Sequence, residues 1–164
     1  MRAAATIAML LVLPLAGCAA PTAPPASWLG EAPAPSTSCR VGEERTTSTD
    51  SLGQRVEVVE GCILVRDPDL FDDLGDIDVD VRVAQGVRTL VAQLHLRGDE
   101  PLRATLRDPA HRVVASGAMQ GDMEHDSFVR FEVGAPTPGT WNLRGAVDTL
   151  TIARPWTAAF VTRA

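Results

Sequence analysis

The sequence contains no lysine and no tyrosine, and only 4% of its 164 residues are aromatic. All 15 basic residues are therefore arginines, and the formal net charge is −6. Binding to nucleic acid depends on basic residues that displace phosphate counterions, so an acidic chain does not fit that class of partner. Carbohydrate sites often use exposed aromatic platforms. The candidate domain has only Trp141, Trp156 and four phenylalanines, most of which are needed for its core.

The apolar run at the start of the chain is too short to cross a bilayer. It covers residues 3–13, whereas a transmembrane helix needs about 20 apolar residues. Arg2 precedes this run and Pro14 ends it, which is the arrangement of a signal peptide. We therefore predict that residues 1–17 are a targeting segment.

The residues that follow, Leu15-Ala16-Gly17-Cys18, resemble the lipobox of bacterial lipoproteins. The resemblance implies that diacylglycerol, with acyl chains such as palmitate, is attached to the Cys18 sulfur, and that cleavage makes Cys18 the first residue. Acyl chains contribute about 0.8 kcal/mol for each buried CH₂, so two or three chains anchor the protein durably to the membrane. The alternative is an ordinary secretory signal cut in the alanine-rich stretch at residues 18–20.

Residues 18–38 form a predicted linker between the lipidated end and the domain. The segment consists mainly of Ala, Pro, Ser and Thr, with five prolines, and cannot bury enough apolar surface to fold. At about 3.1 Å per residue it could hold the domain up to roughly 60 Å from the bilayer. Trp28 and Leu29 are its only sizeable apolar groups, and we expect them to rest on the domain or at the membrane interface.

Two cysteines remain once Cys18 is assigned to the lipid, namely Cys39 and Cys62. Oxidation is the default outside the cytosol, so we predict that they form a disulfide. Metal binding is the weaker alternative, because two cysteines without a nearby histidine do not make a zinc site.

The rest of the chain, residues 39–164, has alternating apolar and polar residues and no sustained helical period. This pattern predicts an all-β domain, a two-sheet β-sandwich of jelly-roll type. Asp108 to His111 read as a turn, and Trp141 is expected in the core. The predicted strands cover residues 55–59, 62–66, 76–83, 89–96, 102–107, 112–116, 127–133, 141–147 and 157–163.

Gln85-Gly86 lies between two strongly alternating strands and has two interpretations. As a two-residue hairpin loop, it sets Val81 against Leu90 and His95 against Asp76, with both apolar faces coinciding. As an arch, it carries the chain from one sheet of the sandwich to the other.

Four segments within residues 75–150 carry a family resemblance: "DVRVAQGV", "LVAQLHL", "LRATLRDPAHRVV" and "APTPGTWNLRGAV". Their order resembles the bacterial pre-peptidase C-terminal domain and, more loosely, the P domain of proprotein convertases. The resemblance implies a β-sandwich accessory module of secreted proteases. The chain departs from the family at His111, where the family's turn usually has glycine, and it lacks the paired aspartates before Leu102.

Seven aspartates lie within residues 67–80, of which Asp76, Asp78 and Asp80 alternate along one face of a predicted strand. An excess of carboxylate oxygens is what Ca²⁺ requires, so these three are the candidate ligands of a calcium site. Their spacing does not match an EF-hand loop. The alternative is a solvated strand face whose charges keep an edge from pairing with other chains.

Candidate catalytic residues are sparse. Ser116 and Ser127 lie near His111 and His125 in the sequence, but neither serine is in a Gly-x-Ser-x-Gly elbow. The acidic loop from Asp122 to Asp126 could join a metal site if it folded over the aspartate strand.

These features together predict a lipid-anchored, non-catalytic binding or structural module of a bacterial cell envelope. An envelope protein or a secreted protease is the expected partner. The alternatives are a calcium-dependent adhesion or protease-associated module, and a small secreted hydrolase.

Overall fold

The computed structural model describes residues 34–35, 38–39, 42–50, 52–63, 76–121, 126–147 and 153–164. The elements within these residues are all β-strands. They are β1 (Glu44–Thr49), β2 (Arg55–Ile63), β3 (Asp76–Val83), β4 (Thr89–Leu96), β5 (Leu102–Arg107), β6 (Val113–Met119), β7 (Ser127–Gly134), β8 (Gly139–Val147) and β9 (Arg154–Arg163). Within the described parts of the chain, no helix is long and apolar enough to cross a membrane.

The strands form two antiparallel sheets. The five-stranded sheet has the order β1-β2-β9-β4-β7, and the four-stranded sheet has the order β3-β8-β5-β6. The sheets pack face to face, and their inward side chains make one apolar core. The prediction of an all-β, two-sheet sandwich is therefore confirmed.

The alternating pattern of β3 and β4 explains how the core is filled. Ile77, Val79, Val81 and Val83 are buried on β3, while the residues between them are exposed. Successive side chains of a strand point to opposite faces, so one face of β3 lies in the core and the other in solvent. On β4, Leu90, Ala92, Leu94 and Leu96 provide the facing layer.

The hairpin interpretation of Gln85-Gly86 is wrong. β3 pairs with β8 in the four-stranded sheet, whereas β4 pairs with β9 and β7 in the five-stranded sheet. The segment is the arch between sheets, with Gly86 at a φ of 87°. The apolar faces of the two strands coincide because they meet across the core and not side by side. His95 consequently does not lie opposite Asp76.

Several strand bounds differ from the predictions. β6 extends to Met119 where the prediction ends at residue 116, and β8 and β9 begin at Gly139 and Arg154 where the predictions begin at residues 141 and 157. The predicted strand at 55–59 and the start of the one at 62–66 are joined in β2, which continues through Gly61 to Ile63, and residues 64–66 lie outside the described residues. β1 was not predicted, since all six of its residues are exposed and it has no apolar alternation.

The two local predictions about the turn and Trp141 are confirmed. The backbone N–H of His111 donates to the carbonyl of Asp108 at 2.8 Å, which closes the turn between β5 and β6. Trp141 is buried on β8, and its indole N–H donates to the carbonyl of Thr137 at 2.9 Å.

Candidate functional site

The outer face of the four-stranded sheet is polar where β3, β8 and β5 form it, because these three strands alternate. In the register between β3 and β8, Asp78 pairs with Arg144 and Asp80 pairs with Asn142. On the other side of β8, Asn142 pairs with Arg107 of β5. Three strands that are far apart in the sequence therefore bring two carboxylates, an amide and two guanidinium groups to one face.

These side chains line a surface depression of about 300 Å³, which we call the polar depression. Its lining residues are Asp78, Asp80, Arg107, His111, Asn142 and Arg144. His111 reaches it from the turn after β5, where its φ of 61° is in the left-handed region that few non-glycine residues adopt. The turn therefore holds His111 in an unusual conformation at the rim of the depression.

Asn142 is at the centre of the hydrogen bonds in the polar depression. Its side-chain N–H groups donate to the carboxylates of Asp78 and Asp80, the latter at 2.9 Å. Arg144 forms an ion pair with Asp76 beside the depression. The three aspartates on the outer face of β3 therefore contact β8 through their side chains, in addition to the backbone hydrogen bonds between the two strands.

Formal charges in the polar depression are balanced. Asp78 and Asp80 contribute two negative charges, and Arg107 and Arg144 contribute two positive charges. The Nε of Arg107 is also buried without a hydrogen-bond partner. Most buried polar atoms in proteins do have a partner, so an unpartnered donor beside a depression is a feature of a binding site.

Asp108, at the start of the turn that carries His111, fixes that turn. Its Oδ1 accepts hydrogen bonds from the backbone N–H groups of Ala110 and Arg112, both at 2.9 Å. Its Oδ2 accepts two bonds from the guanidinium of Arg112, at 2.8 and 2.6 Å. The bond from the Arg112 side chain is the main reason that the pKa of Asp108 lies below its usual value of 3.8.

The predicted calcium ligands Asp76, Asp78 and Asp80 are all exposed on β3 and are engaged by Asn142 and Arg144. Among the described residues, no group of three His, Cys, Asp or Glu side chains is arranged to hold a metal ion. The other four aspartates of the cluster lie outside the described residues: Asp67, Asp69, Asp72 and Asp73. The calcium site stays a prediction.

Ser127 cannot serve as a nucleophile in the position where the structure places it. Its side chain is fully buried, with an exposure of 0%. Its hydroxyl donates to the carbonyl of Glu100 at 2.7 Å and accepts from the N–H of Gly121 at 2.8 Å. The Ser127 hydroxyl therefore stabilises a loop connection. His125 and most of its acidic loop, Asp122 to Glu124, lie outside the described residues.

His95 lies on the outer face of the five-stranded sheet, away from the polar depression. Its Nε2 is 3.2 Å from Oδ2 of Asp126, and its ring contacts the edge of Phe128. Asp126 also accepts a hydrogen bond from the N–H of Gly98 at 2.9 Å. The predicted partner Asp76 is thus replaced by Asp126.

The predicted disulfide is confirmed, since Cys39 is bonded to Cys62 of β2. The predicted lipidation site Cys18 and the predicted signal peptide at residues 1–17 lie outside the described residues.

Sequence reasoning found the aspartates of the polar depression and missed Arg107, Asn142 and Arg144. Alternation alone places each of these on the outer face of its strand, opposite buried neighbours such as Trp141 and Leu143. The missing information is the strand order β3-β8-β5, which brings the three faces together.

Comparison with known proteins returns structural likenesses only. No family model matches the chain, and no curated protein matches its sequence. The enzymatically active domain of bacteriophage CBA120 tailspike protein 4 aligns with 74% of this chain at 11% identity and a TM-score of 0.39. This chain spans 18% of that tailspike chain.

Two carbohydrate-binding modules also align. TmCBM61, solved with β-1,4-galactotriose, has a TM-score of 0.38 and 11% identity over 74% of this chain and 88% of the module. The CBM6cm-2 module of Cellvibrio mixtus lichenase 5A, solved with cellotriose, has a TM-score of 0.36 and 11% identity over 75% of this chain and 88% of the module. At these scores the likenesses carry no argument about the ligand of this chain.

Proposed function

We propose that this chain is a lipid-anchored, non-catalytic binding module of the bacterial cell envelope, and that the polar depression is its ligand site. The observation that carries the proposal is the set of side chains in the depression, where balanced charges surround a buried Arg107 Nε that lacks a partner. The lipobox at residues 15–18 supports the anchor.

The chemistry of the polar depression favours a neutral ligand that both donates and accepts hydrogen bonds. Carboxylates accept only and guanidinium groups donate only, while Asn142, whose N–H groups already donate to the two aspartates, offers its amide oxygen as a further acceptor. Hydroxyl groups, which both donate and accept, fit between such neighbours. A neutral, hydroxyl-rich envelope polymer is therefore the ligand class that we propose.

The affinity expected from this site is low. The described residues on the outer face of the four-stranded sheet include no aromatic side chain on which a sugar ring could stack. Polar contacts alone must offset the freedom that both partners lose on association, so we expect a Kd of about 1 mM. Useful binding at such an affinity needs many copies held on one surface, which a lipid anchor supplies.

The hydrolase alternative is less well supported than a binding role, because Ser127 is buried in a structural hydrogen-bond network. The resemblance to protease-associated modules keeps a secreted protease as an alternative partner. Purified protein screened against common esterase, peptidase and glycosidase substrates is expected to give no turnover above that of Ser127→Ala.

Nuclear magnetic resonance titration with a set of neutral oligosaccharides tests the proposed site. We expect shifts at Arg107, His111 and Asn142, with a Kd of about 1 mM. Loss of one charge-assisted hydrogen bond costs about 1.5–3 kcal/mol, so Arg107→Ala is expected to weaken binding at least about tenfold. Asn142→Ala is the second test variant.

Arg130→Ala is the matched control for this titration, because Arg130 lies on the five-stranded sheet and pairs with Glu132. It is expected to leave the Kd unchanged. The proposal would be contradicted if Arg107→Ala and Asn142→Ala bound as tightly as the parent protein. It would also be contradicted if the parent protein bound none of these probes.

A further inference from the structure

The central part of the outer face of the five-stranded sheet, on β2, β9 and β4, is buried, although its side chains point away from the core. Val56, Val91 and Val161 are 1%, 2% and 2% exposed and form a second apolar cluster, separate from the core. They lie on the neighbouring strands β2, β4 and β9, in one row across the sheet. No described strand packs on this face, and an antiparallel sheet that faced water would carry polar residues there.

Three polar atoms on this face are buried and have no hydrogen-bond partner: Nε2 of Gln93, Nδ1 of His95 and Oγ1 of Thr157. His95 and Thr157 are paired across β4 and β9, and Gln93 is two residues from His95. Each buried polar atom without a partner destabilises the folded state, because it has lost its hydrogen bonds to water. A segment that covered this face would therefore need apolar side chains for the valines and hydrogen-bonding groups for the three polar atoms.

The described residues next to the linker, 34–35 and 38–39, contact strands of this sheet. Cys39 is bonded to Cys62, whose side chain points outward from β2. Pro35 is buried, and its carbonyl accepts a hydrogen bond from Nη1 of Arg97 at 3.5 Å. Cys62 pairs with Pro155 of β9, and the backbone N–H of Arg97 donates to the carbonyl of the same Pro155. Cys39 and Pro35 are therefore both held at this end of the five-stranded sheet.

We propose that residues 19–33 of this chain continue along the outer face of the five-stranded sheet and cover it. Fifteen residues in an extended, proline-rich conformation reach about 46 Å, whereas an eight-residue strand such as β4 spans about 27 Å. The segment is thus long enough to pass over the valine cluster from the position of Pro35. Its Trp28 and Leu29 side chains are large enough to fill that cluster.

The chemistry of the segment matches the unpartnered atoms. Proline residues have a carbonyl acceptor and no N–H donor, so a proline-rich segment presents an excess of acceptors. The amide N–H of Gln93 and the hydroxyl of Thr157 are donors that such carbonyls satisfy. With the proton of His95 on the Nε2 that faces Asp126, Nδ1 accepts from a hydroxyl of the segment's serine and threonine residues.

Docking of residues 19–33 changes what the linker does. A free linker holds the domain up to roughly 60 Å from the bilayer. A docked linker brings Cys18 against the domain, so the five-stranded sheet faces the membrane and the four-stranded sheet faces away. This orientation rests on lipidation of Cys18, whereas the docking itself does not depend on the lipid or on the proposed ligand.

Nuclear magnetic resonance of the mature chain, with Cys18→Ser to keep it in solution and with labelled valine methyl groups, tests the docking. We expect nuclear Overhauser effects between the methyls of Val56, Val91 and Val161 and protons of residues 19–33. We also expect a soluble gadolinium chelate to relax these methyls much more slowly than those of Val113, which is 52% exposed.

A double variant separates docking from simple burial. Trp28→Ala with Leu29→Ala is expected to raise the gadolinium relaxation of the three valines to the rate of Val113, while Glu31→Gln leaves it unchanged. Fast relaxation of the three valines in the parent chain would overturn the proposal. Overhauser effects to residues 64–75, or to a second copy in a mixed-label sample, would overturn it as well.

Discussion

Asp108 is the residue whose titration is tied most directly to the fold. Its carboxylate accepts bonds from two backbone N–H groups and from the guanidinium of Arg112, and these bonds lower its pKa in the folded state. A carboxyl group with a lowered folded pKa stabilises the fold above its unfolded pKa, here about 3.8. That stabilisation is lost as the pH falls through the folded pKa.

We predict that Asp108→Asn lowers Tm at pH 7, and that the difference from the parent protein closes as the pH falls below about 3.8. Thermal unfolding followed by circular dichroism between pH 2 and 7 measures both effects. Asp99→Asn is the control, because Asp99 is exposed, and its Tm is expected to follow the parent at every pH. A difference that persists unchanged to pH 2 would contradict this account of Asp108.

The calcium prediction also belongs to individual residues. If Asp76, Asp78 and Asp80 bind Ca²⁺ in the folded state, calcium at ten times its Kd adds about 1.4 kcal/mol to the free energy of unfolding. Melting curves with calcium and with a chelator measure that gain. Asp80→Asn is expected to abolish it and Asp99→Asn to preserve it, while superimposable curves for the parent protein would remove the site.

At the scale of strands, Gly61 shows why sequence boundaries fail. A glycine inside an alternating run suggests a break, yet β2 runs through it because the indole of Trp156 packs over the position. A Cβ added at Gly61 would lie 2.4 Å from Cζ2 of Trp156. Glycine is required at this position because a side chain would collide with the indole of Trp156. That requirement becomes visible only once β2 is known to pair with β9.

We predict that Gly61→Ala destabilises the domain by about 1–3 kcal/mol, because the rigid indole ring of Trp156 must move within a packed core. Urea unfolding followed by tryptophan fluorescence measures the change. Gly134→Ala is the matched control, since a Cβ added there would have no atom within 4 Å and the φ of Gly134 is not positive. Equal stability of the two variants would show that Trp156 does not need the space.

The other missed strand features also have physical causes. β1 is an edge strand paired only with β2, and its exposed residues leave no apolar pattern to detect. The strands β3 and β4 each have one apolar face, and that pattern is the same whether the strands pair in one sheet or meet across a core. Alternation therefore predicted which side chains face the core, but not which strands are neighbours or that the outer face of β4 is buried as well.

At the scale of the whole molecule, the candidate site could be predicted only in part, because local patterns do not show which strands are neighbours. Asp78 and Asp80 could be placed on an outer face from β3 alone, but Arg107 and Asn142 join them only through the pairing of β8 with β3 and β5. Those pairings connect residues about 60 and 35 positions apart in the chain. Their register is set by tertiary packing and not by any local pattern.

The disulfide joins Cys39 to Cys62 of β2 and closes a loop with a sequence separation of 23. Loop-closure entropy predicts that the double substitution Cys39→Ser with Cys62→Ser lowers the free energy of unfolding by about 3 kcal/mol. Urea unfolding at pH 7 measures this loss, and Cys18→Ser is the control expected to leave stability unchanged. A double variant as stable as the parent would show that the bond does not restrict the unfolded chain.

Our central proposal is that a lipid on Cys18 anchors this protein to a membrane outside the cytosol. Mass spectrometry of the protein extracted from membranes of its host tests it directly. The account predicts an amino-terminal peptide that begins at Cys18 and carries the added mass of diacylglycerol on its sulfur. A soluble product with an unmodified Cys18 thiol, or one that retains Met1, would contradict it.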